Sequence, residues 1–173
     1  TRRDGSQVDM ASRWHLQRDR EGRPVAILET NNDIADRKRA EQALVRNQMY
    51  LTEAQRLTRT GSFAWKPVTG EIVWSAEAYR IWQLDPAEKP TLEFIMSRVH
   101  PDDAVRFQRE NERAALGGEG ADFGLRCVMP DGAVKHIHAV AQRRTGELGE
   151  IEYLGAMVDV TAAREAEQAL ALD

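Results

Sequence analysis

Two stretches of this chain carry the same landmarks in the same order, about one domain length apart. The first runs Asp4-Gly5-Ser6, then Gly22-Arg23-Pro24-Val25-Ala26-Ile27-Leu28, then Asp33-Ile34-Ala35-Asp36-Arg37-Lys38-Arg39-Ala40-Glu41-Gln42-Ala43-Leu44. The second runs Asp131-Gly132-Ala133, then Gly149-Glu150-Ile151-Glu152-Tyr153-Leu154, then Asp159-Val160-Thr161-Ala162-Ala163-Arg164-Glu165-Ala166-Glu167-Gln168-Ala169-Leu170. Asp131 stands 127 positions after Asp4, and Asp159 stands 126 after Asp33. That spacing is too long for a solenoid repeat and fits a whole domain plus a linker. It predicts one complete module and the tail end of another. Tandem modules joined by a polar helix are organised as relays or sensors more often than as enzymes.

The 173 residues hold one ordinary domain and some extra, and a hydrophobic share of 42% supports a core. The net charge of −4 gives no electrostatic footprint for nucleic acid. Short basic clusters, Arg37-Lys38-Arg39 and Arg143-Arg144, have Asp36, Glu41 and Glu147 beside them and read as solvated surface. Cys127 is the single cysteine, which excludes an internal disulfide and a cysteine-rich metal site and is compatible with a reducing cytosol. No apolar run approaches the ~20 residues needed to cross a bilayer. The first residue is Thr and no signal-peptide pattern follows it, so a piece of a longer cytoplasmic protein is expected, with any membrane anchor elsewhere.

Residues 1–34 read as a β-hairpin. Val8, Met10 and Trp14 share even positions, Val25, Ile27 and Leu28 are β-prone or apolar, and Arg18 to Gly22 supply the turn. Such a hairpin is marginal alone and needs a partner surface, in the same chain or another copy. Residues 35–58 read as a linker helix free of Gly and Pro, capped by Asp33 or Asp36. Ala40, Leu44, Leu51 and Ala54 approach a heptad seam, with Asn47 at the missing core position, so a parallel helix dimer is one reading. An amphipathic helix lying on its own domain is the other.

Residues 59–161 read as one α+β domain: strands at 62–66 and 71–74, helices at 75–84, 91–98 and 102–116, then three strands. Ser75 is placed to cap the first helix, and His100-Pro101-Asp102-Asp103 marks a helix start. Phe123, Leu125 and Cys127 alternate as a half-buried strand should, and Asp131-Gly132 signals a hairpin turn. Residues 162–173 begin another helix. The fold class expected is a five-stranded antiparallel sheet with helices on one face, preceded by a β-hairpin and a long linker helix.

Several motifs in order resemble a PAS domain of the type common in bacterial sensor histidine kinases. They are Thr60-Gly61-Ser62-Phe63-Ala64-Trp65, Ile72-Val73-Trp74-Ser75, Tyr79-Arg80-Ile81-Trp82, Val99-His100-Pro101-Asp102-Asp103, Pro130-Asp131-Gly132 and Gly155-Ala156-Met157-Val158-Asp159-Val160-Thr161. The resemblance covers residues 59–161. The first copy matches only the last two strands and exit helix, including the family's C-terminal PAC-like motif. Asp159-Val160-Thr161 resembles the Asp-Ile-Thr motif that closes the last strand of many PAS domains and couples the sheet to the output helix. Asp159 and Thr161 can also be read as an ordinary helix cap. In the first copy the motif reads Asp33-Ile34-Ala35 and lacks the hydroxyl.

The chemistry in reach is limited. PAS domains that bind haem often take a histidine from the long helix, and residues 102–116 contain none. His136 and His138 share a strand face expected to look outward, because Ile137, Ala139 and Ala141 suit the core. Light-oxygen-voltage photochemistry needs an Asn-Cys pair before the long helix, whereas Cys127 lies on a strand. Haem and flavin are therefore disfavoured, and no cofactor or metal is implied. The candidate ligand pocket is Phe63, Trp74, Tyr79, Ile81, Phe94, Phe107, Leu125, Ile137 and Met157, for a small hydrophobic ligand; the same set equally makes a plain packed core. No catalytic constellation is visible.

The expected function is a sensory module of a bacterial signal-transduction protein. Its output is expected to be a sensor histidine kinase of a two-component phosphorelay, with the catalytic domain outside this chain, or a diguanylate cyclase. A homodimer is expected, signalling through helices 35–58 and 162–173. The rival reading is a ligand-free dimerisation module using His136, His138, Val140 and helix 35–58.

Overall fold

A computed structural model describes residue 5 and residues 7–146 and 149–171. Asp4, Ser6 and Glu147 lie outside the described residues. The chain divides into two compact units, residues 1–51 and 52–173.

The first unit holds β1 (Met10–Arg18), β2 (Pro24–Asp33) and most of α1 (Ala35–Thr58). β1 and β2 pair antiparallel, with Trp14 opposite Glu29 and Leu16 opposite Ile27. Asp19 builds the turn: its carboxylate accepts the amides of Glu21 and Arg23, both at 2.9 Å, and Gly22 takes the left-handed φ of 81°. Every residue of both strands is exposed, and α1 buries none. Asp33 accepts the Ala35 amide at 3.0 Å and so opens the helix.

The second unit begins with the last turns of α1 and contains a sheet of order β4-β3-β7-β6-β5, antiparallel throughout. Its strands are β3 (Thr60–Lys66), β4 (Glu71–Trp74), β5 (Ala121–Val128), β6 (Val134–Thr145) and β7 (Ile151–Asp159). Between β4 and β5 come α2 (Ala76–Trp82), α3 (Leu92–Arg98) and α4 (Pro101–Ala115), and α5 (Thr161–Ala171) follows β7. Each helix between β4 and β5 starts at a side-chain cap. Ser75 faces the Ala78 amide at 3.4 Å, Thr91 accepts from Phe94 at 3.1 Å, and the His100 imidazole faces the Asp102 amide at 3.3 Å. Pro101 opens α4, one residue before the expected start, because its missing N–H has no helical partner there in any case.

Alternation sorts the sheet residues into two faces. Trp74, Leu125, Cys127, Ile137, Ala139, Tyr153 and Met157 are buried on the inner face, while Val140 and Leu154 look outward. The core continues into the helices through Ala78, Ile81, Trp82 and Phe107. Gly61 lets β3 approach α2: a Cβ there would lie 2.7 Å from the Ala78 Cα.

The hairpin of the first unit repeats the β6–β7 register up to a bulge at Gln17/Arg18 near its turn. Met10 pairs with Asp33 as Ile137 pairs with Asp159, and Ser12 with Asn31 as Ala139 with Met157. The Ile34 amide donates to the Asp9 carbonyl at 2.9 Å, as the Val160 amide does to that of His136 at 2.8 Å. Positions that the second unit buries under helices are open to solvent in the first. Among the described residues, no helix is long and apolar enough to cross a membrane.

Candidate functional site

A cavity of about 100 Å³ lies between the inner face of the sheet and the helices. Six of the nine residues expected at a pocket line it: Phe63, Trp74, Phe107, Leu125, Ile137 and Met157. The other three stand behind the wall. Tyr79 meets the edge of Trp74 with ring centres 5.5 Å apart and donates its hydroxyl to the Glu88 carbonyl at 3.2 Å. Phe94 packs on Trp74 and Trp82 at 6.3 and 6.4 Å, and Arg98 lies 5.3 Å over its ring. Ile81 is buried in the core cluster and does not line the cavity.

Sequence reasoning missed Trp65, Ile72, Trp82, Leu92, Ile95 and Tyr153 among the lining residues. A strict two-residue step from Phe63 leads to Trp65, and two such steps back from Met157 lead to Tyr153. The helix residues had no comparable signal. The Tyr153 hydroxyl reaches the carbonyls of Ala114 and Gly118 at 2.8 and 2.6 Å, which ties β7 to the end of α4. Trp82 donates its indole N–H to the Met157 sulfur at 3.1 Å. The lining is mostly apolar, with Glu110, Asn111 and Glu119 as its charged and amide members. It suits a small, largely apolar guest.

None of the four histidines lines the cavity. His15 is exposed on β1, His100 caps α4, and His136 and His138 lie on the outward parity of β6, where His138 meets Asp122 at 2.7 Å. Cys127 is fully buried; burial, reinforced by the Asp103 and Asp159 carboxylates, pushes its thiol up to about 12, so it behaves as a small hydrophobe. Among the described residues no group of three or more His, Cys, Asp or Glu could hold a metal ion.

The exit of the sheet is a hydrogen-bonded clamp. The Asp159 carboxylate accepts the Thr161 amide at 3.0 Å and its hydroxyl at 2.5 Å. That hydroxyl in turn accepts the His136 amide from β6 at 2.9 Å. Lys135, which sequence reasoning did not single out, stands 3.4 Å from Asp159 and donates to the Ile81 carbonyl of α2 at 2.9 Å. It shares the inward parity of Ile137, an unusual place for a lysine, and that is the signal that could have found it. Burial opposes ionisation of Asp159, but the Thr161 and Lys135 contacts outweigh it and hold the carboxyl below its ordinary value. The clamp thus connects α2, β6, β7 and α5. In the first copy Asp33 keeps the amide contact, and Ala35 has no hydroxyl for the rest.

The α1 positions Ala40, Leu44, Asn47, Leu51 and Ala54 are all exposed and form no core within the chain. At the helix end, Gln55 donates to the Ser62 hydroxyl of β3 at 2.9 Å.

A family model described as "PAS fold" matches residues 71–157. The probable diguanylate cyclase DgcE of Escherichia coli is 24% identical over 156 residues, which is 90% of this chain but only 14% of that protein. Two solved structures share the fold. A sensory box histidine kinase/response regulator from Burkholderia thailandensis aligns with a TM-score of 0.55 and 24% identity, over 70% of this chain and 92% of its own. The N-terminal domain of a diguanylate cyclase with PAS/PAC sensor from Marinobacter aquaeolei aligns with a TM-score of 0.51 and 17% identity, over 61% and 98%.

Proposed function

The chain belongs to the PAS fold family, and we propose on that premise that it is a sensory module of a signal-transduction protein. A small apolar ligand, or packing changes transmitted from a neighbouring module, biases the inner face of the sheet, and the bias leaves through α5. The observation that carries this reading is the Lys135–Asp159–Thr161 clamp, which bonds the exit helix to the same strands that floor the cavity. A two-state shift of that helix needs a gap of only a few kcal/mol between its packings.

The module itself is non-catalytic in this reading, and it sits in the cytoplasm with its output domain. That output is a histidine kinase, in keeping with the fold neighbour from Burkholderia thailandensis. A diguanylate cyclase is the second reading, favoured by a specific observation: the match to DgcE spans 156 residues, 90% of this chain. The chain acts as a homodimer through α1, and residues 1–34 are the closing hairpin of a PAS-like module, whose exposed strands pair with the sheet of a second copy or lie on the complete domain. The rival reading, a ligand-free interaction module, builds the dimer contact from His136, His138 and Val140 on the outer face of the sheet together with helix 35–58.

Native mass spectrometry of the purified protein tests the reading. Extra mass per chain that disappears on denaturation supports ligand sensing. A bare dimer favours the interaction module, and a bare monomer counts against coupling through α1.

A further inference from the structure

A second cleft, of about 290 Å³, opens where α5 leaves the sheet, and it is polar where the first is apolar. Asp103, Arg106, Gly124, Arg126, His136 and Arg164 line it. Arg126 is engaged by Asp103, with two contacts of 3.0 Å, and Arg106 donates to the Gly124 carbonyl at 2.5 Å. Arg164 approaches the same glycine from α5: a Cβ on Gly124 would lie only 3.7 Å from its Nη2. Two guanidinium groups, those of Arg106 and Arg164, therefore approach one residue that has no side chain to fill the space, and the one lining carboxylate, Asp103, is taken by the third, Arg126. Neither the Arg164 guanidinium nor the His136 imidazole has a hydrogen-bond or ion-pair partner among the described residues.

The internal repeat shows what is missing. Lys38 occupies in the first copy the place of Arg164, and Asp9 the place of His136. There the cation is closed by its own chain, with Lys38 Nζ 3.2 Å from the Asp9 carboxylate. In the complete module an imidazole has replaced that carboxylate, and the cation on the exit helix is left without an anion.

We propose that this cleft is a binding site for a small oxyanion, a phosphate or carboxylate group, held by Arg164 beside Gly124 and His136. The bound group takes the role that the Asp9 carboxylate has in the first copy and ties the first turn of α5 to β5 and β6. Arginine suits the task because its planar fork matches two oxygens at once. The start of a helix adds a favourable dipole for negative charge. The anion thereby acts on the exit helix from a polar cleft that shares only Leu125 and Ile137 with the inner cavity.

The test is a titration of the isotopically labelled chain with inorganic phosphate, and in parallel with succinate, at constant ionic strength held with sodium chloride. Amide resonances report the site. The expected result is a saturable shift confined to Gly124, Arg126, His136 and the first turn of α5, for one or both anions; the tighter of the two names the preferred group. Arg164→Gln should weaken binding at least about tenfold, the scale of losing a charge-assisted pair. His136→Asp should remove binding by restoring the internal pair of the first copy. Shifts that stay linear with concentration, or an affinity unchanged in both variants, would overturn the proposal. Arg164 is exposed on α5, so its replacement leaves the fold intact.

Discussion

Lys135 lies 3.4 Å from the Asp159 carboxylate while its ammonium donates to the Ile81 carbonyl of α2 at 2.9 Å. One side chain thus connects a helix over the inner face to the start of the exit helix. Lys135→Met keeps the stem and deletes both contacts. It should destabilise the second unit by about 1–2 kcal/mol, since it leaves Asp159 partly buried with fewer partners. Amide exchange in α5 should accelerate more than exchange in β3. Equal acceleration everywhere would mean that Lys135 contributes stability without coupling the helices.

Asp103 gives the fold a defined acid limit. Hydrogen bonds from the Arg126 guanidinium, with help from its amide and against the cost of burial, lower its carboxyl from 3.8 to about 2. The folded state therefore holds fewer protons than the unfolded state between those values. The stabilisation is complete above about pH 4 and disappears as pH falls through about 2. Its size is about 1–2 kcal/mol, allowing for solvent screening of Arg126, which is 35% exposed. Melting temperatures measured from pH 2 to pH 6 should show this dependence in the native chain and a flatter profile in Arg126→Ala. Parallel profiles would remove the pair from the account.

Gly61→Ala places a Cβ 2.7 Å from the backbone of Ala78, where neither β3 nor α2 can yield by a side-chain rotation. A loss of about 1–3 kcal/mol is expected, the usual cost of overpacking. Denaturant unfolding measures it; a change within 0.5 kcal/mol, roughly the scatter of neutral surface substitutions, would show that the two backbones can separate freely.

Leu44→Lys with Leu51→Lys tests the seam on α1. Both leucines are about 60% exposed within the chain, so the double variant should fold as well as the native protein. Sedimentation should show its self-association weakened at least about tenfold by charge placed in an apolar seam. A dimer of unchanged affinity would move the contact to the outer face of the sheet.

Ala139→Leu fills the inner cavity from its floor. Ala139 is buried beside Met157 and lines the space. Loss of retained mass, with stability held within about 1.5 kcal/mol, is the outcome expected of a ligand site. Retained mass at native level would place the guest elsewhere.

Local and periodic signals made most of the fold legible. Helix 35–58 is expected from a cap at Asp33 or Asp36 and the absence of Gly and Pro, and α1 spans Ala35–Thr58 with Asp33 at its start. The strand parities of Phe123, Leu125 and Cys127, and of Ile137 and Ala139, depend only on a period of two, so inward and outward faces could be assigned before any packing was known. The repeat was legible for the same reason: a domain-length spacing of turn and cap residues survives in the sequence.

What the sequence determined by itself is therefore the set of elements, their order, the inward face of β5 and β6 and the helix caps, because these follow from the preferences of neighbouring residues. Only the tertiary structure decided which inward residues reach open space. Tyr79, Ile81 and Phe94 are as apolar as Trp82 and Ile95, yet they stand behind the wall, because helix rotation and side-chain direction are set by partners distant in the chain. The same holds for Lys135, whose value comes from Ile81 and Asp159, and for Arg164, whose lack of an anion among the described residues appears only when β5, β6 and α5 are brought together.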